Sequence, residues 1–404
     1  VINIVGPRQT GKTTLVRDML QTARFLNLDD EGLLASLALD PFGQLSAVAD
    51  EARVAGLPVV IDEVQRLPQI TLALKRIVDQ DRRPGQFVLT GSSDIFAMPA
   101  AMDSLAGRVS ALTLYPLSAG EIQRSGPCRL LDAVAEHLTP LVTAFPTPVP
   151  YGRGDAIERM VRGGFPEIRS LNGADRMERY AAYLSSVIER DVAPVAEIRR
   201  PDTLRRLVNQ LAYRTAEELN IASLGNVLGA RRETITDYLD ILSRLGIIHR
   251  LGAWTSSGSR REVKAPKIHF MDTGCATAVR GEDVNSFGLS ADPSALGHLL
   301  ESYVFCELEK SLPFLSMRWE LHHWRNAPRE VDVVAEAPGR ILALFEMKAS
   351  MTVDWSDFRH LDWFLKDGPG QAYRGCGFVF YLGDQILSFG PGRLAVPLSL
   401  FWSY

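Results

Sequence analysis

Several features are scarce in this sequence, and each scarcity removes a class of function. Its 404 residues contain four scattered cysteines, Cys128, Cys275, Cys306 and Cys376, with no CxxC pair. That spacing argues against a disulfide scaffold or a zinc ribbon and fits reduced thiols in a cytoplasmic protein. The seven histidines contain no HExxH, and His322 and His323, being adjacent, are badly placed to share a metal on one strand face. No run reaches the roughly 18 apolar residues of a membrane span, and no signal peptide opens the chain, so no membrane partner is expected. The formal net charge of −4 and pI of about 6.0 lack the basic excess of a nucleic-acid binder, so any basic face must come from particular residues. Internal repeats and low-complexity segments are absent.

What is present is an ordinary globular composition, 46% hydrophobic and 23% charged, with length for two to four domains of about 100–200 residues each. The chain opens at Val1, already inside an apolar run and without Met, so a native segment is expected before it, one that would help hold a nucleotide base. Residues 1–120 alternate β-rich runs with helical patterns, which predicts a parallel sheet flanked by helices, an α/β fold whose domain is expected to span residues 1–143. Strands are expected at Val1–Val5, Phe25–Leu28, Pro58–Ile61, Phe87–Thr90 and Ser110–Leu114, with helices after the first and third. The proline-rich Ala144–Pro150 reads as a linker. Residues 153–202 read as a helical, lid-like segment, 203–285 as a winged-helix-like domain and 286–404 as a strand-rich α/β domain.

Gly6-Pro7-Arg8-Gln9-Thr10-Gly11-Lys12-Thr13, followed by Thr14, fits GxxxxGK[ST] directly after a strand and at the opening of a helix. The glycines let backbone N–H groups face phosphate oxygens, Lys12 reaches the β- and γ-phosphates, and the Thr13 hydroxyl ligates Mg²⁺. The ligands expected are therefore ATP and Mg²⁺. The apolar run Val59-Val60-Ile61 ends in Asp62 and Glu63, expected to hold Mg²⁺ and to orient or deprotonate the attacking water respectively. A third run, Phe87–Thr90, leads into Gly91-Ser92-Ser93, where Ser92 or Ser93 is expected to sense the γ-phosphate.

These stretches, GPRQTGKTTL, VVIDEVQRLP and FVLTGSS with LAGR and LTLYPLSAGEI behind them, resemble prokaryotic AAA-type P-loop ATPases joined to a C-terminal domain of unknown function. The resemblance implies that Arg108, the arginine of LAGR, is an arginine finger, a device that adds roughly 10³–10⁵ to kcat. Acting in trans, it would require a homo-oligomer.

Residues 203–255 read as helices Thr203–Tyr213, Ser223–Leu228 and Arg232–Leu245. Two strands follow, Ile247–Trp254 and Lys267–Met271, a pattern that resembles winged helix-turn-helix modules. Arg231 and Arg232 at the head of the third helix, with Arg260, Arg261 and Lys264 in the wing, would face DNA; Asp237 and Asp240 count against tight phosphate contact. Protein docking is the competing use.

Further on, Glu346 and Lys348 lie two apart on an evident strand, Ile341–Ala349, and so share a face. The preceding strand carries Asp332, which joins that face if the hairpin loop has three or five residues and leaves it if the loop has four. Asp332, Glu346 and Lys348, with Glu301 on the helix Leu296–Lys310, compose the core of a PD-(D/E)XK nuclease-like, restriction-endonuclease-like fold. There Asp332 and Glu346 would hold Mg²⁺ and Lys348 would position the attacking water. The AAA-type family has this pattern in its C-terminal domain. Trp355, Phe358, Leu361 and Phe364 form a helical apolar stripe expected in the core, and Asp272 reads as a strand-end turn without chemistry. The expected activity is ATP hydrolysis coupled to change in the C-terminal domain. An ATP-gated DNA nuclease and a nucleotide-dependent scaffold or signalling switch are the alternatives.

Overall fold

The computed structural model describes residues 1–91, 105, 107–189, 201–256, 264–288 and 293–404. It has two compact units, residues 1–115 with 244–246, and residues 116–243 with 247–404.

The first unit is built on a fully parallel sheet: β1 (Ile2–Val5), β2 (Arg24–Asn27), β3 (Val59–Asp62), β4 (Phe87–Thr90) and β5 (Ser110–Thr113), in the order β2-β3-β4-β1-β5. Every residue of β3 and β4 is buried, as suits central parallel strands covered on both faces. Val59 and Ile61 of β3 enter one apolar cluster with Phe87, Leu89, Leu45 and Leu74, whereas Val60 enters another with Ile4, Val16 and Val88. The alternation of side chains along a strand thus supplies both faces. The helix Ile70–Gln80 covers the first face through Ile70, Leu74, Ile77 and Val78, a helical stripe.

The helices depart from expectation in two places. After β1 only Lys12–Thr14 is α-helical; the chain continues as a π-helical turn, Leu15–Met19, and ends in extended backbone at Leu20. After β2 come two helices that the sequence reading did not place, Glu31–Leu39 and Pro41–Ala55. The signals were local: Asp30 and Asp40 cap them through backbone N–H groups, Pro41 sits at the first turn, and Gly56 in the left-handed region closes the second.

In the second unit, β6 (Glu217–Glu218), β7 (Ile248–Leu251) and β8 (Lys267–Phe270) form an antiparallel sheet in the order β6-β8-β7. It accompanies the helices Pro201–Tyr213, Ile221–Leu228 and Arg232–Arg244. A mixed six-stranded sheet follows: β9 (Glu320–Asn326), β10 (Arg329–Ala337), β11 (Ile341–Lys348), β12 (Arg374–Tyr381), β13 (Leu387–Ser388) and β14 (Arg393–Pro397), ordered β13-β14-β12-β11-β10-β9. β9, β10 and β11 are antiparallel; β12 then joins β11 in parallel by way of the helix Arg359–Lys366, as a parallel pair requires. Phe358, Leu361 and Phe364 are buried in this unit's core, but Trp355 is 62% exposed. Trp355 heads the stripe in a separate 3₁₀ turn, where its ring packs against Phe389 and under Arg393. Among the described residues no single helix is long and apolar enough to cross a membrane.

Candidate functional site

The loop after β1 takes a shape that few residues permit. Gly6, Gln9 and Gly11 have φ of 142°, 62° and 96°. A Cβ on Gly6 would lie 2.2 Å from the Leu114 carbonyl oxygen, so only glycine fits that approach to the segment following β5. The Thr10 hydroxyl donates to the Pro7 carbonyl at 2.9 Å and stiffens the turn. The Lys12 ammonium, largely buried, donates to the Gly6 and Pro7 carbonyls at 2.8 and 2.7 Å.

β3 delivers Asp62 beside this loop. Its Oδ1 accepts from the Thr13 hydroxyl at 3.3 Å and from the buried Thr90 hydroxyl at the end of β4. Glu63 follows in the left-handed region with φ of 57°. Burial pushes its carboxyl up; the Gln65 amide, which donates to it, opposes that, and the Asp62 charge adds to it. Thr13, Asp62 and Glu63 thus gather where the sequence reading put them, and Thr90 is an additional member. Ser92 and Ser93 lie outside the described residues.

Arg108 stands elsewhere. It precedes β5, and its carbonyl accepts from the Val1 amino group at the start of β1. In a parallel sheet that is the edge opposite the phosphate loop, which follows the end of β1. Its guanidinium grips both oxygens of Asp79 at 2.5 and 3.1 Å.

The winged-helix candidates are partly placed. Arg231, Arg232 and Lys264 are exposed, whereas Arg260 and Arg261 lie outside the described residues. Asp240 is paired with Arg250 at 2.6 Å.

The C-terminal sheet brings its candidates together. The hairpin loop between β10 and β11 has three residues, Pro338 to Arg340, and Val333 pairs with Phe345. Asp332 therefore falls opposite Glu346 on one face. Its Oδ2 accepts from the Met347 N–H at 2.9 Å. Lys348 reaches Glu346 at 3.1 Å and Asp357 at 3.8 Å. Burial first, then the Asp332 charge, push the Glu346 carboxyl up to about 8. Among the described residues its Oε2 is buried with no hydrogen-bond partner. Glu301 does approach this face, but as the partner of a residue to which the sequence reading gave no role. Lys267, at the start of β8, places its Nζ 2.7 Å from Glu301, 2.6 Å from Glu330 and 3.8 Å from Asp332. Burial alone disfavours the Lys267 charge, but Glu301, Asp332 and Glu330 outweigh it and raise its pKa. The carboxylates line an open cleft of about 370 Å³ together with Glu217, His298 and Arg325. The one sequence signal for Lys267 was its position: a lysine opening an apolar strand must bury its charge against a partner.

As they stand, these residues do not fit a divalent metal. An ammonium already lies among three of the carboxylates, both Asp332 oxygens are engaged, and among the described residues no three His, Cys, Asp or Glu side chains form a metal-ligand group.

Residues 1–123 match a family model described as an AAA domain. Residues 153–288 and 296–401 match two domains of unknown function, DUF8612 and DUF4143. An uncharacterized protein of Mycobacterium tuberculosis is 28% identical over 355 residues, which is 87% of this chain and 71% of the relative; a Mycobacterium bovis protein gives the same figures. An uncharacterized Haemophilus influenzae protein is 22% identical over 357 residues, 84% of this chain and 80% of its own length. The crystal structure of protein VC1899 from Vibrio cholerae covers 94% of this chain and 88% of its own at 13% identity, with a TM-score of 0.16 that supports no argument. The N-terminal match and the parallel sheet make the first unit a P-loop ATPase-like domain.

Proposed function

We propose that the chain binds ATP at Gly6–Thr14, hydrolyses it, and uses turnover to change the conformation or assembly of its C-terminal part. The observation that carries this reading is the meeting of Thr13 with Asp62 beneath the phosphate loop. Their hydroxyl and carboxylate oxygens are hard donors, one of them anionic, and they fit Mg²⁺. Bound there, Mg²⁺ would neutralise charge on the β- and γ-phosphates. The rest falls to side chains. Lys12 exchanges its two loop carbonyls for phosphate oxygens, and Asp62, steadied by Thr90, holds its orientation. Glu63 aligns the attacking water and draws off its proton. Arg108 serves a neighbouring copy of the chain.

ATP turnover by the full chain, measured alongside fluorescent-nucleotide binding, tests this. Lys12→Ala is expected to lose binding. Glu63→Gln is expected to keep it while turnover falls by roughly 10²–10⁴, the usual contribution of a positioned base. Undiminished turnover in Glu63→Gln would remove the site from the mechanism.

For the C-terminal unit we favour a nucleotide-dependent scaffold or switch over an ATP-gated nuclease. The facing Asp332 and Glu346 with Lys348 support a nuclease-like ancestry of shape, but Lys267 among the carboxylates supports use without cleavage. The exposed Arg231, Arg232 and Lys264 leave DNA a candidate partner, to be read by salt-dependent binding.

A further inference from the structure

We infer that the Lys267 ammonium is the resident cation of the acid cleft: it takes the place among Glu301, Glu330 and Asp332 that a divalent metal would need, and so keeps the cleft free of metal. This deepens the non-cleaving reading of the C-terminal unit and rests on it. ATP hydrolysis plays no part in it.

Three observations combine. The first is position: Nζ lies at 2.7, 2.6 and 3.8 Å from three separate carboxylates, on a side chain only 2% exposed. A divalent ion bound to the same oxygens would stand against a buried ammonium, a like-charge encounter that little solvent screens. The second is anchorage. Lys267 is on the central strand of its sheet, pairing with Glu218 on one side and Leu251 on the other, so its Cα has no room to retreat. The third is how many of the acid oxygens already have partners. Asp332 Oδ2 is taken by the Met347 N–H, Glu346 by Lys348, and Glu330 also by Arg325 at 3.6 Å. Mg²⁺ demands near-ideal octahedral oxygens at about 2.0–2.1 Å, and this arrangement offers salt bridges instead.

The inference makes Lys267 the residue that decides whether the cleft holds a metal. Deleting its charge leaves four acids, Glu301, Glu330, Asp332 and Glu346, lining the same cleft, which is the donor composition of a divalent site. The experiment is Mn²⁺ titration of the nucleotide-free full chain, with bound ions counted by electron paramagnetic resonance. Any binding at the phosphate loop is common to all variants and cancels in the differences. Wild type and Asp332→Asn are expected to give the same isotherm. Lys267→Met, checked for folding by its thermal transition, is expected to gain one bound ion, and the added Asp332→Asn to abolish it. Mn²⁺ binding by wild type that disappears in Asp332→Asn would overturn the inference, as would a folded Lys267→Met that gains nothing. If Lys267→Met does not fold, the comparison of wild type with Asp332→Asn still decides. Plasmid nicking by wild type that is lost in Asp332→Asn would instead overturn the non-cleaving reading, which is a separate outcome.

Discussion

The Asp272 carboxylate accepts from three segments at once: the Gly164 N–H at 2.6 Å, the Tyr180 hydroxyl at 2.8 Å and the Cys275 N–H at 2.9 Å. Its neighbour in this arrangement, Gly163, has no room for a side chain, since a Cβ there would meet Asp272 Oδ1 at 2.2 Å. From the sequence, Asp272 looked like a turn residue: capping of the helix Thr273–Arg280 through Cys275 is local, but Gly164 and Tyr180 lie about a hundred residues upstream and no local pattern announces them. Asp272→Ala leaves two buried donors, the Gly164 and Cys275 N–H groups, without this acceptor, while the Tyr180 hydroxyl keeps the Arg162 carbonyl at 3.1 Å. It should destabilise the second unit by roughly 3 kcal/mol or more, read as a lowered denaturation midpoint with unchanged nucleotide binding. A smaller loss would mean that water replaces the carboxylate. Lys267 escaped the sequence reading for the same reason as Asp272: the charges it serves are distant in the chain.

Elements were legible where one rule dominates. Central parallel strands read as apolar runs, and β1, β3 and β4 fell within a residue or so of expectation. The sequence left the face of Asp332 to the parity of the hairpin loop, and the loop of three residues puts it opposite Glu346, where one extra residue would have flipped it. The helices after β2 were missed because the first, Glu31–Leu39, is apolar nearly all round and shows no helical period, so caps rather than periodicity define it. Trp355 was misplaced because the α-helix begins only at Arg359, so α-helical spacing does not reach back to Trp355, which lies at the first position of the preceding 3₁₀ turn. β11, which carries Glu346 and Lys348, depends on one close approach: a Cβ on Gly375 of β12 would lie 2.1 Å from the Leu342 carbonyl oxygen. Gly375→Ala should therefore force the β11–β12 pair apart and cost about 1–3 kcal/mol. Thermal unfolding measures the loss, and amide exchange along β11 should rise with it; a neutral substitution would show that the pair can slide.

At the scale of the molecule, the polarity of the parallel sheet matters most. The phosphate loop follows the end of β1, and Arg108 precedes β5 at the other edge, held by Asp79. If Arg108 acts on a nucleotide as proposed, it must therefore act on that of a neighbouring copy, and the proposal entails head-to-tail association, which closes into rings or runs into filaments. Arg108→Ala is expected to bind ATP normally and lose about 10³-fold or more in turnover. In the Glu63→Gln background, ATP should drive assembly that light scattering detects and that Arg108→Ala weakens. Turnover that survives Arg108→Ala would mean that no neighbour contributes an arginine.

The buried Lys267 also belongs to a pattern in how the chain allocates its cations. Of 44 basic residues only seven are lysines, and three of those, Lys12, Lys267 and Lys310, are buried. Arginine, with its wide planar fork, supplies most of the cations, Arg176 among the buried ones; the three buried ammoniums sit in narrow interior places, the phosphate loop, the acid cleft and the Glu307 pair. Amine-directed acylation, whether by a reagent or by a modifying enzyme, therefore finds few targets here, and the lysines that matter most to the interior are the ones it cannot reach.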